Sequence, residues 1–364
     1  MEKLEQVSNM NKQDQLYQKT ISLLQQLIAT PSFSKEEDKT ADAIELFLNA
    51  EGVNTNRYLN NVWAVNKYFD SSKPTILLNS HHDTVKPNKG YTRDPFEATI
   101  FDDKLFGLGS NDAGGCLVSL IGCFLHYYEQ SGLSYNLLLA ATAEEEISGH
   151  HGVEILLPLL PPIDCAIVGE PTLLDLAIAE RGLLVVDAVV KGKAGHAARN
   201  EGDNAIYKAI QDIEWLQTYK FNKVSDLLGP VKTTVTSFRT ENKQHNVVPA
   251  VAEYLIDIRV NELYAFEEVL AILASSLQAS LTPRSTRLKS TSIAKDHPLV
   301  QSGMKMGKKC YGSPTTSDKA LMSFPALKMG PGDSARSHTA DEFIFITEIK
   351  NGIDTYINLL KSIV

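Results

Sequence analysis

The chain has 364 residues, of which 43% are hydrophobic and 22% are charged, so it is long enough to form two domains with separate cores. Its formal net charge of -9 argues against a broad nucleic-acid-binding surface, because such a surface needs basic side chains to neutralise phosphates. The polar start, residues 1–18, lacks the apolar core of a signal peptide, and no apolar run is long enough to cross a bilayer. The four cysteines form no C-x-x-C pair, which suits reduced thiols. From the charge, the missing apolar segments and the cysteines together, we predict a cytoplasmic protein that binds neither nucleic acid nor a membrane.

The first predicted elements are two helices followed by two strands. Residues 16–28 and 38–49 carry apolar side chains at helical spacing. Residues 62–66 and 75–78 are short apolar runs bounded by turn residues. The second of these runs is continuous, which is typical of a strand that is buried on both faces. The chain is therefore expected to begin as an α/β domain.

Polar segments follow three predicted strands at the point where each strand ends. The strand 75–78 leads into residues 79–85, the strand 136–141 leads into an acidic run, and the strand 165–168 leads into residues 169–172. In open α/β sheets, ligands bind at the carboxyl ends of the strands. We therefore expect the functional side chains to meet at one edge of the sheet.

The pattern changes near residue 183, where apolar and polar residues begin to alternate. The alternation and the helical runs that follow it are typical of a separately folded α+β unit with an open-faced sheet. The predicted strands and helices of this unit are 183–191, 204–218, 231–237, 252–260 and 265–279. We therefore predict a discontinuous catalytic domain, residues 1–182 and 288–364, into which a second domain, residues 183–287, is inserted.

The first polar segment contains His81, His82 and Asp83. A histidine at the end of a buried strand can present a ring nitrogen to a metal ion. Asp83 lies two residues after His81 and therefore on the same face, where its carboxylate could orient the imidazole. A histidine-rich turn that binds no metal explains this fragment, taken alone, about equally well.

A glycine-rich stretch, residues 107–115, surrounds Asp112. Its glycines allow the backbone to approach closely around one carboxylate. A phosphate-binding loop is excluded, because the P-loop pattern is absent and Asp112 occupies the position of the third glycine in the dinucleotide fingerprint. An ordinary glycine turn is the alternative for this segment in isolation.

The acidic run of Glu144, Glu145 and Glu146 follows a predicted strand. Runs of like charge usually form a solvated face, but at the end of a buried strand such carboxylates repel each other unless a cation or a shared proton offsets them. One of them could bind a metal while its neighbour takes a proton from a metal-activated water. Glu170 and His338 complete this candidate set.

Together these segments resemble the acetylornithine deacetylase and succinyl-diaminopimelate desuccinylase family of zinc hydrolases, whose wider relatives include aminoacylases, carboxypeptidases and tripeptidases. The resemblance covers nearly the whole chain. It rests on H-x-D-x-V at residues 81–85, the loop around Asp112, the acidic run, G-E-P-T at residues 169–172 and a distal histidine followed by an acidic pair. It implies an α/β, mixed-sheet, zinc-peptidase-like catalytic domain with an inserted α+β, ferredoxin-like domain for dimerisation.

The resemblance also implies a centre of two zinc ions, for which cobalt could substitute. Asp112 would bridge the two ions. His81 and Glu170 would complete one site, and Glu146 and His338 would complete the other. The resemblance therefore implies one shared ligand and two pairs of unshared ligands.

The catalytic roles implied by the resemblance fall on Glu145 and Asp83. Glu145 would be the general base that later returns its proton to the leaving amine, and Asp83 would orient His81. Glu144 stands where many relatives have aspartate, a conservative departure that leaves the other two assignments intact. A cis peptide bond is expected between Asp112 and Ala113.

His196, in the inserted domain, matches the histidine with which relatives polarise the scissile carbonyl, often across a dimer interface. Without the resemblance, a solvent-facing loop histidine would be the default interpretation. Arg259 lies on a predicted strand and could equally be a structural ion-pair residue. The candidate substrate-binding residues are Arg181, Asn246, Arg259, Thr316 and Arg336.

The predicted function is zinc-dependent hydrolysis of the amide bond of an N-acyl amino acid in arginine or lysine biosynthesis. N-acetylornithine is the first choice, with N-acetylcitrulline, N-succinylornithine and N-succinylcitrulline as close analogues. A dipeptidase or carboxypeptidase of the same family is the main alternative. A catalytically silent, metal-stabilised scaffold is another, although the intact Glu145 argues against it. The expected partners are the small-molecule substrate and a second copy of the chain in a homodimer.

Overall fold

The computed structural model of the protein describes residues 11–199 and 201–364, so more than half of the predicted polar start lies outside the described residues. The chain divides into two compact units. The first unit comprises the described residues up to Ile178 together with 293–311 and 317–364, and the second comprises 179–292 and 312–316. The segment predicted to be inserted, 183–287, lies within the second unit. No helix in the described ranges is both long and apolar enough to span a membrane.

The α-helices of the described residues are numbered in chain order. They are α1 (Lys12–Ile28), α2 (Asp38–Ala50), α3 (Gly115–Tyr128), α4 (Val153–Leu156), α5 (Ala205–Thr218), α6 (Phe266–Ser276), α7 (Pro298–Lys305) and α8 (Ile346–Leu360). Asparagine caps begin α1 and α5, where the side chains of Asn11 and Asn204 accept from the amides of Asp14 and Ile206. The long predicted helices are therefore present, with ends that differ by a few residues.

The strands are numbered in the same way. They are β1 (Asn56–Tyr58), β2 (Asn61–Val65), β3 (Thr75–His81), β4 (Ile100–Phe101), β5 (Lys104–Phe106), β6 (Asn136–Thr142), β7 (Cys165–Val168), β8 (Leu176–Glu180), β9 (Gly182–Lys191), β10 (Gly195–His196), β11 (Lys232–Arg239), β12 (Val247–Val248), β13 (Val251–Val260), β14 (Ser280–Pro283), β15 (Thr291–Ser292), β16 (Cys310–Ser313), β17 (Ala326–Lys328) and β18 (Phe343–Phe345).

The main sheet of the first unit is mixed, as predicted. Its strands lie in the order β1, β2, β6, β3, β7, β17 and β8. β3 pairs in parallel with β6 and β7, and β7 pairs in parallel with β17, whereas β2 and β8 add antiparallel pairs. Every residue of β3 is buried, because Ile76 and Leu78 pack in one apolar cluster and Leu77 packs in another. Cores on both faces explain the continuous apolar run in the sequence.

The carboxyl ends of β3, β6 and β7 lie side by side. His81 of β3 pairs with Thr142 of β6, and Asn79 of β3 pairs with Val168 of β7. The polar segments that follow these strands therefore leave the sheet at the same edge. This register brings together residues that are about 90 positions apart in the chain.

The second unit has the order and connections of a ferredoxin-like fold. β9, α5, β11, β13, α6 and β14 follow one another in the chain, and the sheet order is β11, β13, β9 and β14, with every pair antiparallel. Alternate residues of β9 and β13 are buried and form an apolar cluster with residues of the two helices. The other face of the sheet carries the partly exposed residues.

One predicted element of the second unit was wrong at its end. The helix predicted for 265–279 ends at Ser276, and β14 follows from Ser280. The side chain of Asp212 accepts from the amides of Gln278 and Ala279, at 2.9 and 3.1 Å. The apolar periodicity continues past Ser276, but this contact from α5 holds the backbone outside the helix.

Candidate metal centre

His81 is the last residue of β3 and Asp83 lies two residues beyond it. The Asp83 carboxylate is fully buried and lies 3.4 Å from Nδ1 of His81. It also accepts from the amides of Glu145 and Glu146, at 3.0 and 3.1 Å, and from the hydroxyl of Ser34, at 2.7 Å. Asp83 therefore contacts the imidazole through both its carbonyl oxygen and its carboxylate, and its carboxylate also holds the backbone of the acidic run.

Asp112 lies in an irregular turn that joins β5 to α3. The turn begins at Gly109, whose φ of 75° favours glycine and whose Cα has no room for a Cβ, which would lie 2.5 Å from Cγ2 of Thr84. The peptide bond between Asp112 and Ala113 is cis, as expected from the resemblance. The buried carboxylate of Glu342 accepts from the amide of Asp112 at 2.9 Å.

The acidic run turns sharply where β6 ends. Glu144 has a φ of 55°, and its carboxylate accepts from the amide of His151 at 3.3 Å. Its own amide donates to Glu37 at 3.2 Å. Glu145 and Glu146 follow in a single helical turn, and their carboxylates lie 3.9 Å from Nε2 of His81 and 3.0 Å from Nε2 of His338, respectively.

Two groups of potential ligands share one residue. His81, Asp112 and Glu170 form one group, and Asp112, Glu146 and His338 form the other, and within each group the ligand atoms lie within 4.8 Å of one another. Nε2 of His338 lies 3.0 Å from Glu146 Oε2 and 3.7 Å from Asp112 Oδ2. Asp112 therefore stands between two ligand sets, as a bridging carboxylate would.

The chemistry of His81 shows that these residues fit a metal. Its Nε2 is buried and has no hydrogen-bond partner among the described residues, although it lies 3.5 Å from Asp112 and 3.9 Å from Glu170. Its Nδ1 contacts the carbonyl oxygen of Asp83 at 3.0 Å. Buried polar atoms are normally paired, and an ion held by imidazole and carboxylate ligands would satisfy Nε2.

The electrostatics of the site also favour a bound cation. Burial raises the pKa of the Glu145 carboxyl well above its usual range, and the charges of Glu170, Asp318 and Glu146 act in the same direction, against a lowering by His81. Burial likewise raises the pKa of Glu146 and raises that of Glu170 to about 8. A bound cation would offset this repulsion and stabilise the charged carboxylates.

The site is closed on one side and open on the other. The His81 side chain is 1% exposed, whereas that of His338 is 55% exposed. His82 faces away from the cluster, because its Nδ1 contacts Thr40 and its Nε2 contacts the carbonyl of Asn60. Burial lowers the pKa of His82 to about 4, so this histidine is a neutral, buried structural residue.

Arg336 has a structural partner within the first unit. Its guanidinium donates two hydrogen bonds to Glu348, at 2.6 and 2.8 Å, and lies over the rings of Phe343 and Phe345. The side chain is 16% exposed. A substrate carboxylate would have to compete with this two-point ion pair.

The remaining predicted residues lie in the second unit, in two groups. His196 is exposed and pairs with Val247 where β10 meets β12, and the carbonyl of Asn246 accepts from Ala197 at 2.9 Å. His196 and Asn246 are therefore neighbours on one small ladder.

Arg181, Arg259 and Thr316 form the other group of the second unit. Thr316 donates to the carbonyl of Arg181 at 2.9 Å, and the Arg181 guanidinium contacts the carbonyls of Leu228, Pro230 and Arg259. The Arg259 side chain makes a two-point ion pair with Asp257, at 2.8 and 3.0 Å. Arg259 therefore has the structural ion pair that was the alternative to a substrate-binding role.

Several residues that support the site were not predicted from the sequence. Ser34 and Glu37 lie in the loop between α1 and α2, and Glu37 is 1% exposed. Asp318 is also buried and accepts from Thr142 at 2.8 Å. The loop that contains Ser34 and Glu37 is rich in lysine and glutamate, and such a composition does not predict burial. The acidic pair after His338, by contrast, did indicate the position of Glu342.

Residues 77–362 match the model of a family described as Peptidase family M20/M25/M40. An acetylornithine deacetylase from Proteus mirabilis is 29% identical over 359 residues, which cover 89% of this chain and 91% of that protein. A succinyl-diaminopimelate desuccinylase from Orientia tsutsugamushi is 26% identical over 283 residues, or 72% of each chain.

A solved structure shares the fold. A dinuclear metal-binding peptidase of family M20 from Bacillus subtilis aligns with a TM-score of 0.69 and 17% identity. The alignment covers 95% of this chain and 98% of that chain. The chain therefore shares its fold with this protein over 95% of its length.

Proposed function

Because the chain belongs to peptidase family M20/M25/M40, and is thereby a metal-dependent amidohydrolase, we propose that it hydrolyses the amide bond of an N-acyl amino acid. The proposed substrate is N-acetylornithine or a close analogue, namely N-acetylcitrulline, N-succinylornithine or N-succinylcitrulline. The observation that carries the proposal is the position of Asp112, which is shared by two ligand groups beside Glu145. The relatives that act on acetylornithine and on succinyl-diaminopimelate support the choice of substrate class.

The proposed cofactor is a pair of zinc ions, with cobalt as a possible substitute. Asp112 would be shared, His81 and Glu170 would hold one ion, and Glu146 and His338 would hold the other. Histidine and carboxylate ligands suit zinc, and the dinuclear centre of the Bacillus subtilis peptidase supports the number. When bound, the metals would supply Lewis acidity and a water whose pKa is lowered to roughly 7.

Glu145 is the proposed general base. Its Oε2 lies 3.9 Å from Nε2 of His81, and its amide is held by Asp83, so its carboxylate faces the ligand groups without being needed as a ligand. It would take the proton from the attacking water and return it to the departing amine. Asp83 supports this role because it orients both His81 and the backbone of Glu145.

His196 is the proposed donor to the oxyanion. It is exposed on the ladder formed by β10 and β12, so its ring is available to a ligand. We also propose that the second unit mediates a homodimer. Asn246, Arg181, Arg259 and Thr316 are proposed to contact substrate, with Asn246 the best supported because it adjoins His196.

Arg336 is the weakest of the proposed substrate contacts, because Glu348 already binds it at two points. The four cysteines are unpaired, which supports a proposed location in the cytoplasm. A place in arginine or lysine biosynthesis follows from the proposed substrates.

The test compares turnover of a substrate panel by the zinc-loaded protein. The panel is acetylornithine, acetylcitrulline, their succinyl analogues and a set of dipeptides and tripeptides. We expect the highest kcat/KM on an acyl-amino acid and loss of that activity when zinc is chelated. A preference for a peptide would favour the peptidase alternative, which the Bacillus subtilis neighbour supports.

The scaffold alternative has a separate outcome. A protein that binds two zinc ions but hydrolyses no member of the panel would favour the metal-stabilised scaffold. Cobalt-loaded protein serves as a control, since it should restore activity after chelation if the ligand set accepts either ion.

A further inference from the structure

A buried carboxylate outside both ligand groups holds the backbone of the Asp112 turn. Glu342 is 2% exposed. Its Oε1 accepts from the amides of Asn111 and Asp112, at 2.8 and 2.9 Å, and its Oε2 accepts from the amide of Gly109 at 3.1 Å. Its backbone carbonyl accepts from the amide of Gly107 at 2.9 Å. A single residue thus accepts from four amides of the segment 107–112.

We propose that Glu342 is a positioning residue of the metal centre, whose carboxylate fixes the Asp112 turn and with it the direction of the bridging carboxylate. The proposal rests on the proposed function, because it assumes that Asp112 is shared by two metal ions. A ligand shared by two ions must point between both, so a small rotation of its backbone would weaken both sites.

The two accepting oxygens of Glu342 matter as well as its shape. Both of its carboxylate oxygens accept from converging amides, Oε1 from two and Oε2 from one, so each position must be an acceptor. A glutamine of the same size would replace one oxygen with a donor, which would face an amide that is itself a donor. At least one buried amide of the turn would then lose its partner, and the turn would have to shift.

Glu342 is itself held on both sides. It directly precedes β18, whose Phe343 pairs with Phe106 of β5, so its own backbone is anchored to a sheet. It follows His338 by four residues, and that histidine belongs to the second ligand group. The same segment therefore carries one ligand and fixes the backbone of another.

A second link ties this segment to the turn. The side chain of Asn111 accepts from the amide of Asp333 at 3.1 Å and donates to the carbonyl of Asp333 at 3.1 Å. The Asp112 turn is thus bonded to the segment 333–342 at both ends of that segment. This arrangement explains how ligands from distant parts of the sequence keep one geometry.

The second unit contains a matched control. Asp212 is also 2% exposed, and its carboxylate accepts from the amides of Gln278 and Ala279 and from the hydroxyl of Tyr254, at 2.9, 3.1 and 3.0 Å. It is therefore a buried carboxylate with three donors that belongs to neither ligand group. Replacing it by asparagine imposes the same chemical change as Glu342→Gln.

The test measures zinc affinity by chelator competition in the full chain, with thermal unfolding of the zinc-free protein alongside. We expect Glu342→Gln to lower the affinity of one or both zinc sites by about 10- to 100-fold, the range for residues that support metal ligands. Asp212→Asn should lower the unfolding temperature but change zinc affinity by less than about twofold, because its partners contain no proposed ligand.

Several outcomes would overturn the proposal. It fails if Glu342→Gln binds both zinc ions as the wild type does, or if Asp212→Asn weakens zinc binding equally, since the effect would then be general destabilisation. If Glu342→Gln does not fold, Glu342→Asp repeats the comparison, because it keeps the carboxylate on a side chain that is one methylene shorter. A wild type that binds two zinc ions but hydrolyses no substrate would contradict only the proposed function, because the affinity comparison needs no turnover.

Discussion

Two groups of carboxylates, one in each unit of the chain, lie in opposite surroundings. In the second unit, Glu253 meets Arg239 at 2.6 Å and Asp257 meets Arg259 at 2.8 Å, so these negative charges have guanidinium partners at the surface. In the first unit, Asp112, Glu145, Glu146 and Glu170 converge on two histidines in a largely buried site. The first arrangement is neutral by itself, whereas the second holds more carboxylates than positive side chains, an excess that a bound cation would offset.

The difference teaches how a metal site can be told from a network of ion pairs. Adjacent carboxylates in a surface network are screened by water and matched by arginine. Buried carboxylates without equal positive charge raise one another's pKa, as burial and neighbouring acids do for Glu145. Clustered, buried acids beside an unpaired histidine nitrogen therefore indicate a site for a cation.

The largest expected effect that would test this contrast comes from Glu145→Ala. Loss of the general base should reduce kcat by about 10²- to 10⁴-fold, while both zinc ions remain bound, because Glu145 belongs to neither ligand group. Initial rates and metal analysis of the same sample measure the two effects. An active Glu145→Ala protein would remove Glu145 from the mechanism.

His196→Ala tests whether the second unit contributes to the chemistry. Loss of an oxyanion donor typically lowers kcat by about 10²- to 10³-fold, and zinc content should not change. His245→Ala is the matched control, since His245 is an exposed histidine of the same unit. Equal rates for the two variants would leave His196 as an ordinary loop histidine.

His338→Ala should weaken one metal site and spare the other. Its ring lies at the exposed side of the cluster, so the fold should tolerate the change. We expect at least about a tenfold loss of affinity for one zinc, the lower bound for losing a residue that merely supports a ligand. Chelator competition gives the stoichiometry, and retention of two tightly bound ions would argue against His338 as a ligand.

The smallest expected effect belongs to an ion pair of the second unit. Glu253→Gln breaks the pair with Arg239, whose side chain is 78% exposed, and should change the free energy of unfolding by at most about 1 kcal/mol. Turnover and zinc content should stay at wild-type levels. Loss of zinc in this variant would contradict the contrast between the surface ion pair and the buried carboxylate cluster.

Much of the fold followed from local patterns in the sequence. Continuous apolar runs predicted β3, β6 and β7, and alternation predicted β9 and β13, because burial on two faces or on one face leaves a direct mark on residue order. The family was also correctly recognised from motifs at the ends of these strands. The predicted end of α6 was wrong, because the Asp212 carboxylate that accepts from the amides of Gln278 and Ala279 belongs to a different helix.

The sequence by itself determined which residue types stand at the strand ends and therefore which chemistry is available there. Only the tertiary structure decided that His81 faces the ligand groups while His82 is buried against Thr40 and Asn60. It also gave Arg336 a partner in Glu348 and revealed how Glu342 holds the Asp112 turn. The physical reason is that spacing along a strand sets which face a side chain takes, whereas its hydrogen-bond partners come from other segments, which lie 12 residues away for Arg336 and Glu348 and 230 residues away for Asp112 and Glu342.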